Sequence, residues 1–206
     1  MSGPAPLLTD HFLAAVALAV DRHGGERREG TGVPYLAHLL VVTGLVLEDG
    51  GDEDQAIAAM LHDSVEDGGG RPLLERIRRG FGERVAEIVE QLSDSIEPDS
   101  GESWIDRKRR YLKELRECED EAVLRVSLAD KVNNARALVR EARVGGDALW
   151  ERFADKTADQ QVWYYERLLE LFEAKRPGPL VEDLRRAVDE LTALAVMREP
   201  RRRQAG

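Results

Sequence analysis

Residues 60–67 read Met60-Leu61-His62-Asp63-Ser64-Val65-Glu66-Asp67, and three glycines follow. An imidazole and three carboxylates thus close an apolar run that begins at Ala56. Such a run reads as a buried helix, and the glycines predict its end at Gly68. A buried carboxylate without a partner is costly, so something must compensate the charges here.

Working outward, Leu, Ala, Glu and Arg dominate and strand-like alternation is scarce, so an all-α fold is expected: a single-domain helical bundle. The first helix is expected from a cap at Thr9 or Asp10 to Gly24–Gly25. A second opens at Pro34 and breaks at Gly50–Gly51. Asp52 or Asp54 suits the cap of the third, which carries the opening stretch. Further helices are expected over residues 72–79, 82–92, 104–116, 121–143, 147–174 and 180–197. The main domain is placed at residues 1–176, a C-terminal helix packed on it or appended to it at 177–197, and a mobile Arg-rich tail at 198–206.

Of the 206 residues, 42% are hydrophobic and 34% charged, a soluble globular composition. The net charge of −10 argues against nucleic acid as a partner, because phosphate backbones call for excess Lys and Arg. No apolar stretch is long enough to span a membrane. Cys118 is the one cysteine, which excludes an intrachain disulfide, and no secretory signal is visible. A cytoplasmic protein, monomer or homodimer, is expected.

Two more candidates sit on apolar faces: His38 in YLAHLLVV and Asp130 in LRVSLADKVNNARAL. Taken singly, His38 has an ordinary reading as a hydrogen-bonded core histidine, and Asp130 as the partner of a nearby arginine. The conjunction of His38, His62, Asp63 and Asp130 on three helices points instead to a divalent cation. Mixed imidazole and carboxylate ligands suit Mn, Fe or Zn better than Ca. Glu66 and Asp67 fall one turn beyond His62 and Asp63, where the helix dipole disfavours anions. They read either as solvated helix-end charges or as the groups that orient and deprotonate water at the ion.

With these residues assembled, the sequence resembles the HD-domain phosphohydrolases of the RelA/SpoT type, and most closely the small alarmone hydrolases, including the metazoan SpoT homologues. The resemblance rests on HGGERREGTGVPYLAH (23–38), MLHDSVED (60–67) and LADKVNNARAL (128–138), and covers about residues 10 to 145. It implies an HD-domain fold with Mn²⁺ on His38, His62, Asp63 and Asp130, other divalent transition metals being possible. The implied activity is removal of the 3′-pyrophosphate from (p)ppGpp, with Glu66 and Asp67 acting on the attacking water. Arg28 matches an arginine that packs on the nucleobase, and Asn134 a nucleoside-contacting asparagine. Arg27, Tyr35 and Lys108 complete the expected nucleotide-binding set.

Three positions depart from the family pattern. Leu39 stands where proline is usual, Glu29 replaces a lysine, and Trp104 lies near a phosphate-contacting lysine of the metazoan relatives. The ligand set is intact, whereas the base and phosphate contacts are altered. Another nucleotide, such as NADPH cleaved at its 2′-phosphate or a nucleoside phosphate, is therefore a rival substrate. A metal-bound nucleotide sensor without turnover is a rival of another class. The basic run Arg107–Arg110 offers phosphate contacts or a solvated face. Trp150, Phe153, Trp163, Tyr164 and Tyr165 read mostly as core. His11 and His23 read as structural or surface residues, with His23 the better pocket candidate. The chain is too short for a companion synthetase domain, so hydrolysis without synthesis is expected.

Overall fold

Thr9 starts the first helix, its Oγ1 accepting the backbone N–H of His11, and α1 runs Asp10–His23. The computed structural model describes residues 7–66, 70–93, 102–145 and 158–196. Within them lie α2 (Leu36–Glu48), α3 (Glu53–Leu61), α4 (Gly70–Phe81), α5 (Glu83–Leu92), α6 (Trp104–Glu117), α7 (Glu121–Gly145), α8 (Ala158–Lys175) and α9 (Pro179–Val196). The described residues hold no strand, only an isolated bridge between Arg27 and Pro34. None of the described helices is long and apolar enough to cross a membrane.

The chain forms two compact units. One contains α1 to α5 and α7 as far as Ala129; the other contains α6, α7 from Asp130 onward, α8 and α9.

In the first unit α3 packs against α1, α2 and α5. Ala56 to Leu61 are all at most 1% exposed, so this short helix is buried on every side. Asp52 caps it by accepting the N–H of Gln55 at 2.9 Å. The preceding turn needs a left-handed residue, which Gly50 supplies with φ 82°. Arg84 forks onto Asp120 at 2.6 and 2.8 Å, and that contact holds the Asp120 carboxyl below the usual carboxylate range. Asp120 also accepts the N–H of Ala122, fixing the start of α7.

Arg125 of α7 donates through Nε to Asp49 at 3.1 Å and through Nη1 to Gln55 Oε1. Both charged side chains are largely buried, at 17% and 12% exposed. Arg125→Ala strips the guanidinium from a carboxylate that water hardly reaches. It is expected to lower stability by about 2–3 kcal/mol, part exposure bringing the cost below that of a fully buried pair. A denaturant midpoint indistinguishable from the parent's would contradict this.

In the second unit α8 packs against α6 and α9. Tyr164 meets Trp104 edge-on at 5.9 Å and Tyr165 at 5.5 Å, and both tyrosines are buried. The two tyrosines are core, as the sequence suggests, and Trp163 is half-buried, while Trp150 and Phe153 lie outside the described residues, as does the expected start of this helix at residue 147. The C-terminal helix buries Leu184 and Leu191 completely.

Two boundaries differ from expectation near the candidate ligands. The third helix ends at Leu61 and not at Gly68; residues 62–64 form a turn and Val65–Glu66 a wider π turn. The second starts at Leu36, two residues after Pro34. The reason is a small loop: Arg28 N–H donates to Val33 O at 2.8 Å, and Tyr35 N–H to Glu26 O at 3.0 Å. Those bonds hold Pro34 in the bridge and out of the helix.

Candidate active site

His38 projects from α2 and is 3% exposed. His62 and Asp63 come directly after α3, on the turn where the helix ends. The His62 ring curls back so that Nδ1 lies 2.7 Å from the carbonyl of Ala59. A carbonyl only accepts, so Nδ1 carries the hydrogen, and in the neutral ring Nε2 presents its lone pair. That lone pair faces Asp63 Oδ1 at 3.2 Å and His38 Nε2 at 3.4 Å. The other Asp63 oxygen lies 3.3 Å from His38 Nε2.

An acceptor nitrogen facing a carboxylate oxygen is repulsive unless a positive charge lies between them. Two imidazole nitrogens on one cation, each at about 2.0–2.1 Å, would stand about 3.0–3.4 Å apart. The observed separation matches. Asp130 of α7 is itself buried, 7% exposed. The donor set is therefore chemically suited to a divalent ion, with Asp63 touching both imidazoles.

Asp130 is held from its own helix. Its Oδ2 accepts from Lys131 Nζ at 2.7 Å and its Oδ1 from Asn134 Nδ2 at 2.6 Å. Asn134 sits one turn further along α7, where its amide can reach back. The expected arginine partner of Asp130 is thus a lysine. Adjacency in sequence gave no signal for this contact, because consecutive helical residues do not ordinarily face each other.

The remaining candidates fall as follows. Tyr35 donates its hydroxyl to Asp63 Oδ2 at 2.5 Å. Arg27 donates to Gly32 O at 2.6 Å, and Arg28 is half-buried beside it in the same loop. Lys108 lies over the rings of Tyr111 and Tyr164, 5.7 and 5.5 Å from their centroids. Its neighbours Arg109 and Arg110 pair with Asp106, and with Glu102 and Glu114. Glu66 is exposed on the π turn, so its four-residue spacing from His62 is not measured along a regular helix. Asp67 lies outside the described residues. His23, the better pocket candidate of the two remaining histidines, bonds to Glu26 and Ser64, contacts for which its position at the end of an apolar helix beside a polar loop was the available signal.

A profile of the HD domain matches residues 15–158. The guanosine-3′,5′-bis(diphosphate) 3′-pyrophosphohydrolase MESH1 of Xenopus tropicalis is 36% identical over 143 residues, which are 68% of this chain and 74% of that protein. The guanosine-3′,5′-bis(diphosphate) 3′-pyrophosphohydrolase of Aquifex aeolicus is 32% identical over 133 residues, and there the match spans only 18% of the relative's length. Among solved structures, a metazoan ortholog of SpoT that hydrolyses ppGpp superposes with a TM-score of 0.67 at 21% identity, over 94% of this chain and 97% of that one. A Listeria monocytogenes protein superposes with a TM-score of 0.62 at 26% identity, over 73% and 96%. The superpositions agree with the helical architecture, and the profile spans both imidazole-bearing segments and the Asp130 helix: the chain belongs to the HD-domain family.

Proposed function

We propose that this protein is a divalent-metal-dependent phosphohydrolase that removes the 3′-pyrophosphate of (p)ppGpp, yielding pyrophosphate and GDP or GTP. The observation that carries the reading is the His62 ring, whose Nδ1 contact with Ala59 O turns its Nε2 lone pair onto Asp63 and His38. His38, His62, Asp63 and Asp130 would hold the ion, and Mn²⁺ fits their imidazole and carboxylate chemistry. Such an ion, when bound, polarises a phosphoryl group and makes a nearby water more acidic.

The protein's own residues supply the rest. Ala59 O and Tyr35 Oη orient His62 and Asp63 from behind. Glu66 takes the proton of the attacking water, and Asp67 orients that water. Arg28 stacks on the guanine, a task suited to a planar guanidinium. Arg27, Lys108 and Asn134 contact the nucleotide. The enzyme acts in the cytoplasm, as monomer or homodimer, on a small-molecule substrate.

One observation favours a second substrate. Where the metazoan relatives were expected to place a phosphate-contacting lysine, Trp104 is packed edge-on against Tyr164. With Glu29 also replacing a lysine, the pocket suits a purine nucleotide with fewer phosphate contacts, such as NADPH cleaved at its 2′-phosphate. Purified protein with Mn²⁺ is to be offered ppGpp, NADPH and nucleoside 5′-phosphates side by side. Pyrophosphate released from ppGpp faster than phosphate from the others is the expected result. Preferential turnover of NADPH would replace the substrate, and tight nucleotide binding without turnover of any would make the protein a sensor.

A further inference from the structure

His23, the last residue of α1, is 1% exposed although it borders a polar loop. Both ring nitrogens and one ring face are in use. Nδ1 lies 2.8 Å from Glu26 Oε2, and Nε2 lies 3.2 Å from Ser64 Oγ. One face stacks on the Tyr35 ring, with centroids 5.1 Å apart and planes 28° apart. Glu26 belongs to the loop that carries Arg27 and Arg28. Ser64 follows Asp63 on the turn beyond α3. Tyr35 is the residue whose hydroxyl donates to Asp63.

We propose that His23 is a positioning residue for the cation site: it clamps the Ser64 turn to the arginine-bearing loop and, through the Tyr35 ring, aims the Tyr35 hydroxyl at Asp63. This inference rests on the metal reading above, and not on the identity of the nucleotide.

The residue type fits the task. A carboxylate accepts, so the Nδ1 hydrogen points at Glu26; Nε2 of the neutral ring then accepts the Ser64 hydroxyl. A flat ring with a donor on one edge, an acceptor on the other and a face to stack meets Glu26, Ser64 and Tyr35 at once. Phenylalanine would keep the stack and lose both edges. Glutamine would keep some polar reach and lose the stack. The turn needs such a tie, because beyond Leu61 it lacks the continuous α-helical ladder that would otherwise fix Asp63. Tyr35 in turn reaches the carboxylate with a charge-assisted hydrogen bond, the kind that fixes orientation most firmly.

The test is equilibrium dialysis of Mn²⁺ against the parent, His23→Gln, Tyr35→Phe and the double variant. Thermal unfolding of each metal-free protein serves as the measure of folding. Each single variant is expected to bind Mn²⁺ about tenfold more weakly, the usual scale for groups that orient a ligand. The double variant is expected to be no weaker than the worse single one, because both changes act on the same carboxylate contact. Losses that multiply in the double variant, or an unchanged affinity in His23→Gln, overturn the proposal. Should His23→Gln fail to fold, His23→Phe takes its place. Tyr35→Phe removes a single hydroxyl, and an unchanged Mn²⁺ affinity in that variant is by itself enough to overturn the proposal. A parent that binds Mn²⁺ yet releases no pyrophosphate from ppGpp removes the substrate reading and leaves this comparison valid. A parent that takes up no Mn²⁺ ends both.

Discussion

Asp63→Asn is expected to leave a folded protein that hydrolyses ppGpp at least about a thousandfold more slowly, well beyond the tenfold to hundredfold scale of losses at groups that merely support a ligand. The amide matches the carboxylate in size, so the helix end and the buried run Ala56 to Leu61 keep their packing. What it removes is the negative charge that stands 3.2 and 3.3 Å from the two imidazole nitrogens. It also presents an NH₂ group where only acceptors suit a cation. The effect on metal can be read without substrate. A ligand that binds only the folded state stabilises it by about 2.7 kcal/mol at a hundredfold excess over its dissociation constant. The parent should therefore melt at a higher temperature with Mn²⁺ than without, whereas Asp63→Asn should show no such rise. A variant that keeps both the Mn²⁺-induced shift and the turnover would remove Asp63 from the site.

Glu66→Gln is expected to separate turnover from metal binding. Glu66 is exposed, whereas the imidazoles of His38 and His62 are buried. Its loss should leave the Mn²⁺-induced shift near the parent's. Glutamine cannot take a proton, so kcat should fall by about 10²–10⁴, the range for a lost general base, with KM little changed. If Mn²⁺ affinity collapses instead, Glu66 belongs to the ligand set and the proton acceptor must be sought elsewhere. An unchanged kcat would return Glu66 to the reading of a solvated charge.

Much of this architecture could be read from local signals. Thr9 and Asp52 are caps whose side-chain oxygens accept the expected backbone N–H groups. Gly82, with φ 94°, separates α4 from α5, one residue beyond the break expected at residues 80–81. The three segments carrying His38, His62 and Asp130 were identifiable because charged or titratable groups on apolar faces need compensation, and within the first unit the structure brings His38 and His62 together. The end of α3 was hidden. Nothing from His62 to Asp67 is a strong helix breaker, so propensity carries the helix on to the glycines. Tertiary contacts decide otherwise: the His62 ring bonds back to Ala59 O, and Ser64 meets His23 across 41 residues of sequence. The loop 24–35 was equally opaque, since proline at 34 suits a helix start as well as the bridge it actually makes. The Lys131 contact with Asp130 escaped because rotamer and local geometry, and not periodicity, produce it.

The widened turn at Val65 and Glu66 has a bearing on how this stretch tolerates change in length. An α-helix advances about 100° per residue, so a chain that left Leu61 as an uninterrupted spiral would send Glu66 in another compass direction. If Glu66 is the proton acceptor proposed above, reaction chemistry depends on spacing counted in bonds as well as on which amino acids are present. A single-residue gap or insertion between Asp63 and Glu66 is then expected to swing the acid away while the proposed ligands stay unaltered, silencing turnover by arithmetic alone.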